Sequence, residues 1–164
     1  MSFNRTLITA PAITSWASLA NALWASSAAV TVGTTNSVVD HEIQVTITGP
    51  STMTASVITQ VNVYVYGSAD GTTWPGSSTT NETTVGTDAA LTVSANGNNA
   101  TFLGVIPMTL TTAGTSNVYR SAAFSLKTAL GLLPSKYAIA IQNAAGASLA
   151  ATGHAVAIEE IYYA

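Results

Sequence analysis

The sequence predicts an all-β protein, an antiparallel β-sandwich or jelly-roll-like domain with a short N-terminal helix or arm. Three observations carry that expectation. Residues 38–48 alternate strictly, with Val39, His41, Ile43, Val45 and Ile47 on one face and Asp40, Glu42, Gln44, Thr46 and Thr48 on the other. Residues 57–66 alternate in the same way, Val57, Thr59, Val61, Val63 and Val65 against Ile58, Gln60, Asn62, Tyr64 and Tyr66. Short runs of this kind recur along the chain between Gly, Asn and Pro turn signals, the spacing expected of a sandwich. The 164 residues can close one core, and no composition shift or internal repeat divides them. We place an arm and short helix over 1–27, as an assembly contact, and the sandwich over 28–164.

Taken in order, residues 1–12 read as an extended arm, because Pro11 holds Ala10 out of the helical region. The spacing of Ile13, Trp16, Ala20, Leu23 and Trp24 predicts a helix over 13–25, with Thr14 or Ser15 as its cap. Residues 28–32 are short and β-branched. Gly49-Pro50 ends the strand over 38–48. Residues 67–86 read as a long polar loop, with turns at Asp70-Gly71 and Pro75-Gly76 and Trp74 pinning it to the sheet. Further strands are expected at 89–94, 100–106, 117–126, 136–143 and 154–163. Asn96-Gly97 signals a hairpin between two of them, and Asn143 to Gly146 a looser turn. Residues 127–133 predict one helical turn, halted before Pro134.

Charge is the unusual quantity. Asp, Glu, Lys and Arg make up 7% of the chain, against about 25% in an ordinary domain. Ala, Thr and Ser together supply 71 residues, so the surface must be hydroxyls and methyl groups. Such a surface suits contact with other protein, since little charge has to be desolvated. The net charge of −3 offers no basic footprint for nucleic acid. No apolar run is long enough for a membrane helix, and the start has no compact apolar segment of the secretory kind. Without cysteine there is no disulfide or thiol chemistry. The large apolar load of the first residues makes Phe3, Arg5, Leu7, Ile13, Trp16, Leu23, Trp24 and, from the loop, Trp74 the candidate partner contacts.

Catalytic chemistry finds little footing. Asp40, His41 and Glu42 are adjacent on a strand, so His41 faces away from both acids and the three make no ready metal triad. His41 reads as a half-buried strand residue. His154 could join it only through tertiary contacts. Asp70, Glu82 and Asp88 lack calcium-loop spacing. Glu159 and Glu160 face opposite sides of the last strand, and the inward one needs a partner such as Arg120 or Lys136. Nucleophile-elbow and phosphate-loop motifs are absent. We expect a non-enzyme with no cofactor or metal.

Three stretches carry a resemblance. Val63 to Trp74 holds the S-x-D-G-x-x-W strand-turn as Ser68, Asp70, Gly71 and Trp74; the others are Thr101 to Pro107, and Leu132 to Asn143 followed by Gly146 and Leu149. Together with the Ala/Thr/Gly bias they resemble small β-sandwich structural proteins of tailed-bacteriophage virions, over roughly residues 28–164. The resemblance implies a role in the phage particle, which is assembled in the host cytoplasm. It implies a capsid decoration or cement protein whose partners are copies of itself and the major capsid protein. A tail, neck or baseplate subunit is the alternative. More distantly, Tyr64, Tyr66, Trp74, Tyr162 and Tyr163 could line a carbohydrate-binding face if they stood coplanar and open.

Overall fold

The computed structural model describes residues 2–33, 37–50, 58–75, 82–93, 99–109 and 117–163. Twelve strands and one helix are described: β1 (Phe3–Leu7), β2 (Trp24–Ala28), β3 (Val30–Thr31), β4 (Val38–Thr48), β5 (Ile58–Ser68), β6 (Glu82–Thr83), β7 (Thr87–Val93), β8 (Thr101–Thr109), β9 (Val118–Arg120), β10 (Phe124–Ser125), α1 (Leu126–Leu130), β11 (Lys136–Ala144) and β12 (Ala155–Tyr163). They form two packed antiparallel sheets, the all-β sandwich that the alternation predicts. One sheet runs β1-β12-β4-β10, with β9 also on β4; the other runs β6-β7-β2-β11-β5-β8, with β3 on β11.

The alternating runs do what their pattern demands. His41, Ile43, Val45 and Ile47 of β4 face Val61, Val63 and Val65 of β5 across the sandwich, and all seven are fully buried. Ile139 and Ile141 of β11 and Ile158 of β12 complete the layer. A smaller apolar cluster lies on the outer face of the second sheet, where Tyr66, Ala138 and Ala140 meet Val85, Leu91 and the ring of Trp74. Trp74 thus holds the loop down, and Gly86 makes room for it. A Cβ at Gly86 would lie 2.7 Å from the indole, and its φ of +77° already requires glycine.

The N-terminal third departs from expectation. The helix predicted over 13–25 is a single 3-10 turn, Thr14–Trp16. Left-handed φ values at Ser18 and Ala22 break any continuation, and Trp24 opens strand β2. Neither Thr14 nor Ser15 caps the turn. The carboxylate of Asp88 does so from β7, accepting the backbone N–H of Thr14 at 3.0 Å and of Ser15 at 2.9 Å. The arm is strand β1, paired with β12 from Phe3↔Tyr163 to Leu7↔Glu159. Residues 8–16 then cross between the sheets and deliver β2 between β7 and β11. The boundary at 27/28 therefore separates no structural units, because residues 3–31 supply strands to both sheets.

Smaller corrections follow the same logic. The strand expected over 117–126 breaks at Ser121, whose hydroxyl donates to Ala122 O and accepts Val45 N–H, giving β9 and β10. β7 and β8 are three strands apart and form no hairpin; Asn96-Gly97 itself lies outside the described residues. The turn expected from Asn143 to Gly146 is present as a bend with Gly146 at φ +76°, and it carries the chain across to the other sheet. The buried carboxamide of Asn143 donates to Leu19 O and Ala147 O and accepts Ala145 N–H. The helical turn after Ser125 is α1, capped by the Ser125 hydroxyl and stopped by Gly131 in the left-handed region.

Candidate functional site

The surface that stands out is the outer face of the first sheet at its β1 edge. All five residues of β1, the edge strand of this sheet, are exposed. Alternation sends Phe3, Arg5 and Leu7 to the outer face beside Tyr163, Ile161 and Glu159 of β12. Phe3 lies on the Tyr163 ring at 4.8 Å yet stays 60% exposed, and Leu7 is 69% exposed. Glu159 and Glu42 stand directly opposite each other on β12 and β4, a like-charge pair that would repel. Arg5 bridges them. Its guanidinium grips both Glu42 oxygens, at 2.6 and 3.1 Å, and donates to Glu159 at 3.0 Å. These carboxylates, Glu42 foremost, push the Arg5 pKa up. One cation therefore latches the edge strand to the sheet and leaves two apolar side chains beside it.

The other candidate contacts scatter. Leu23 is exposed and Ile13 half-buried against the core. Trp16 is fully buried and cannot reach a partner, because the turn that carries it packs beneath β2 and β7. Trp24 is half-buried, tilted on Tyr64 at 4.6 Å, and Trp74 lies on Gly86. The five aromatics of the carbohydrate expectation make no common platform. Tyr66 is buried, Tyr64 sits between Trp24 and Phe102 at steep angles, and Tyr162 and Tyr163 belong to the other sheet.

The titratable groups are mostly built into the fold. Asp40 accepts the N–H of Lys127 and the hydroxyl of Ser125, holding the start of α1. Asp70 folds its own turn, taking the N–H groups of Thr72 and Thr73, which draw its pKa far below the carboxylate range. Hydrogen bonds from Ser15 and Thr14 likewise lower Asp88, overcoming its partial burial. His154 accepts Thr48 N–H at Nδ1 and donates from Nε2 to Ala150 O, and burial lowers its pKa.

His41 is fully buried rather than half-buried, because the second sheet covers it. Its Nδ1 lies 2.9 Å from the Tyr137 hydroxyl on β11, and its Nε2 faces Glu160 Oε2 at 3.4 Å. A ring nitrogen facing a carboxylate carries the proton, so Nδ1 accepts from Tyr137. Burial lowers the His41 pKa against the opposing pull of Glu160 and Asp40, and raises that of Tyr137. The expected partners of the last-strand acids, Arg120 and Lys136, are not theirs; Glu159 pairs with Arg5 and Glu160 with His41. The sequence puts Glu160 on the inward face with Val156 and Ile158, but only the register of β12 on β4 places it opposite His41. Among the described residues no three of His, Asp and Glu converge as a metal centre. No family model, curated protein or solved structure matches this chain.

Proposed function

We propose that this chain is a non-enzymatic structural subunit that works covered by other protein, and that it decorates the head of a tailed phage. The observation that carries the reading is β1, an edge strand exposed on both faces, with Phe3 and Leu7 open and its one charge engaged by Glu42 and Glu159. Proteins that remain single blunt such edges with free charge or proline. The 7% charge of the whole chain supports the same reading, as an interface has little to desolvate. The resemblance to phage sandwich proteins supplies the particle. Many copies on a lattice turn small contacts into a stable shell through effective concentration.

The test has two arms. Sedimentation velocity of the purified protein is expected to show oligomers that a Phe3→Ser/Leu7→Ser variant loses while its far-ultraviolet spectrum is unchanged. A stable monomer at all concentrations would remove the assembly reading. Gold-labelled antibody on particles released by cells making the chain is expected to mark the head surface. Label confined to the tail would relocate the subunit, and unlabelled particles would end the virion proposal.

A further inference from the structure

A groove of about 470 Å³ opens where Ile8 to Ala12 run alongside Ala28 to Thr31. Its walls are methyl groups and threonine hydroxyls, and one charged side chain, Glu160, lies in it. The Glu160 side chain is 12% exposed. Gly33 is what leaves the carboxylate open, since a Cβ there would sit 2.8 Å from Oε2. Behind the carboxylate stands His41, fully buried, its Nε2 aimed at Oε2 but without a hydrogen-bond partner. Burial lowers the pKa of that imidazole, which weakens it as a countercharge. Among the described residues no lysine or arginine reaches Glu160, and the nearest cation of this sheet, Arg5, is held on the opposite face.

A carboxylate withdrawn from water with no permanent cation beside it is an unmet electrostatic demand. A divalent ion would need further ligands, and among the described residues no third His, Asp or Glu joins Glu160 and His41. A slim monocation needs only the one carboxylate and small walls for its stem. We infer that this groove receives a lysine side chain of a partner protein, the ammonium on Glu160 Oε2 beside Gly33 and the methylenes along Ala12, Ala28 and Ala29. The inference stands on charge complementarity within this chain and does not depend on which particle the chain belongs to.

The probe is n-butylammonium, a lysine side chain without its backbone, titrated at fixed ionic strength while amide spectra follow Gly33. Tetramethylammonium, of equal charge but without N–H donors, is the control. A saturable Gly33 shift with butylammonium alone is expected, with no saturation in Glu160→Gln. Gly33→Ala keeps the charge but covers it, and is expected to weaken binding about tenfold. Gly33 has no left-handed φ, so this variant remains informative if Glu160→Gln fails to fold. A Gly-Lys-Gly peptide is expected to displace the probe, and its acetyl-lysine form to leave it bound. Equal response to both ions, or a linear drift shared by wild type and Glu160→Gln, would overturn the proposal.

Discussion

Trp16 offers the sharpest division between a core residue and a contact residue. It is fully buried in the main core with Leu19 and Ala25, although it precedes most of the sandwich in sequence. Truncating such a side chain to alanine costs about 3–5 kcal/mol. For a chain of this size that lowers the melting temperature by about 6–20 °C. The indole N–H finds no acceptor in its buried position, a defect worth about 1–3 kcal/mol. Trp16→Phe removes that donor along with part of the ring, so the two effects oppose and the net change is expected within about 1 kcal/mol. Urea unfolding followed by circular dichroism measures both. A Trp16→Ala protein that melts like wild type but no longer assembles would refute the packing argument and return Trp16 to the surface. So would a Trp16→Phe variant as damaged as Trp16→Ala, which would mean that the N–H has an essential acceptor.

Other outcomes follow from the same geometry. Deleting residues 1–25 is expected to abolish cooperative melting, because it removes β1, Trp16, Leu19 and the start of β2; a truncated protein with a sharp transition would contradict this. Gly86→Ala is expected to destabilise by more than about 1 kcal/mol, since it meets both a left-handed φ and the Trp74 ring, and differential scanning calorimetry reads the loss. Asn143→Ala strips partners from Leu19 O, Ala147 O and Ala145 N and should cost about 1–3 kcal/mol in the same urea assay. His41 and His154 both have folded pKa values below their ordinary 6.5, so the unfolded chain binds protons first as pH falls. Their stabilisation is complete above pH 6.5 and declines as the pH drops through the lowered values, which a series of urea midpoints between pH 7.5 and 5 should trace.

The strands with one buried face were legible because alternation is itself the burial pattern. β4 begins and ends at the predicted residues and β12 falls within one residue of expectation; β11, buried on both faces, is placed as closely by its continuous apolar run. The N-terminal third was not legible because its helical spacing is accidental. Trp16 faces the main core and Trp24 the opposite face of the second sheet, and the N–H groups at the start of the expected helix are taken by Asp88, seventy-odd residues away. A local pattern carries no record of such a bond. The proposed contact face was half legible. Phe3, Arg5 and Leu7 stand together as an extended arm requires, but their companions Glu42 and Glu159 come from strands whose register no single segment specifies. Trp16 and Trp74 were drawn into the same list by size alone, and size does not distinguish an anchor for a partner from an anchor for a turn or a loop.

The few charges explain more by their placement than by their number. Asp40, Asp70 and Asp88 all turn inward onto backbone N–H groups, holding α1, the loop after β5 and the first 3-10 turn. Glu42 and Glu159 close on Arg5, and Glu160 turns toward His41. Three of these six acids therefore do the work that caps and turn formers do elsewhere, and the other three face basic side chains. A carboxylate at such a site accepts charge-assisted hydrogen bonds that a serine or asparagine accepts more weakly. A chain selected only to lose charge would have replaced them with neutral caps; a chain selected for a dispersed, hydrated surface would have kept acids on its outer faces. This one keeps three acids where they fasten backbone and ties Glu42 and Glu159, on the outer face, to Arg5. The surface that results carries little charge that is not already paired or hydrogen-bonded among the described acids. That combination suits the proposed role of a subunit covered by other protein.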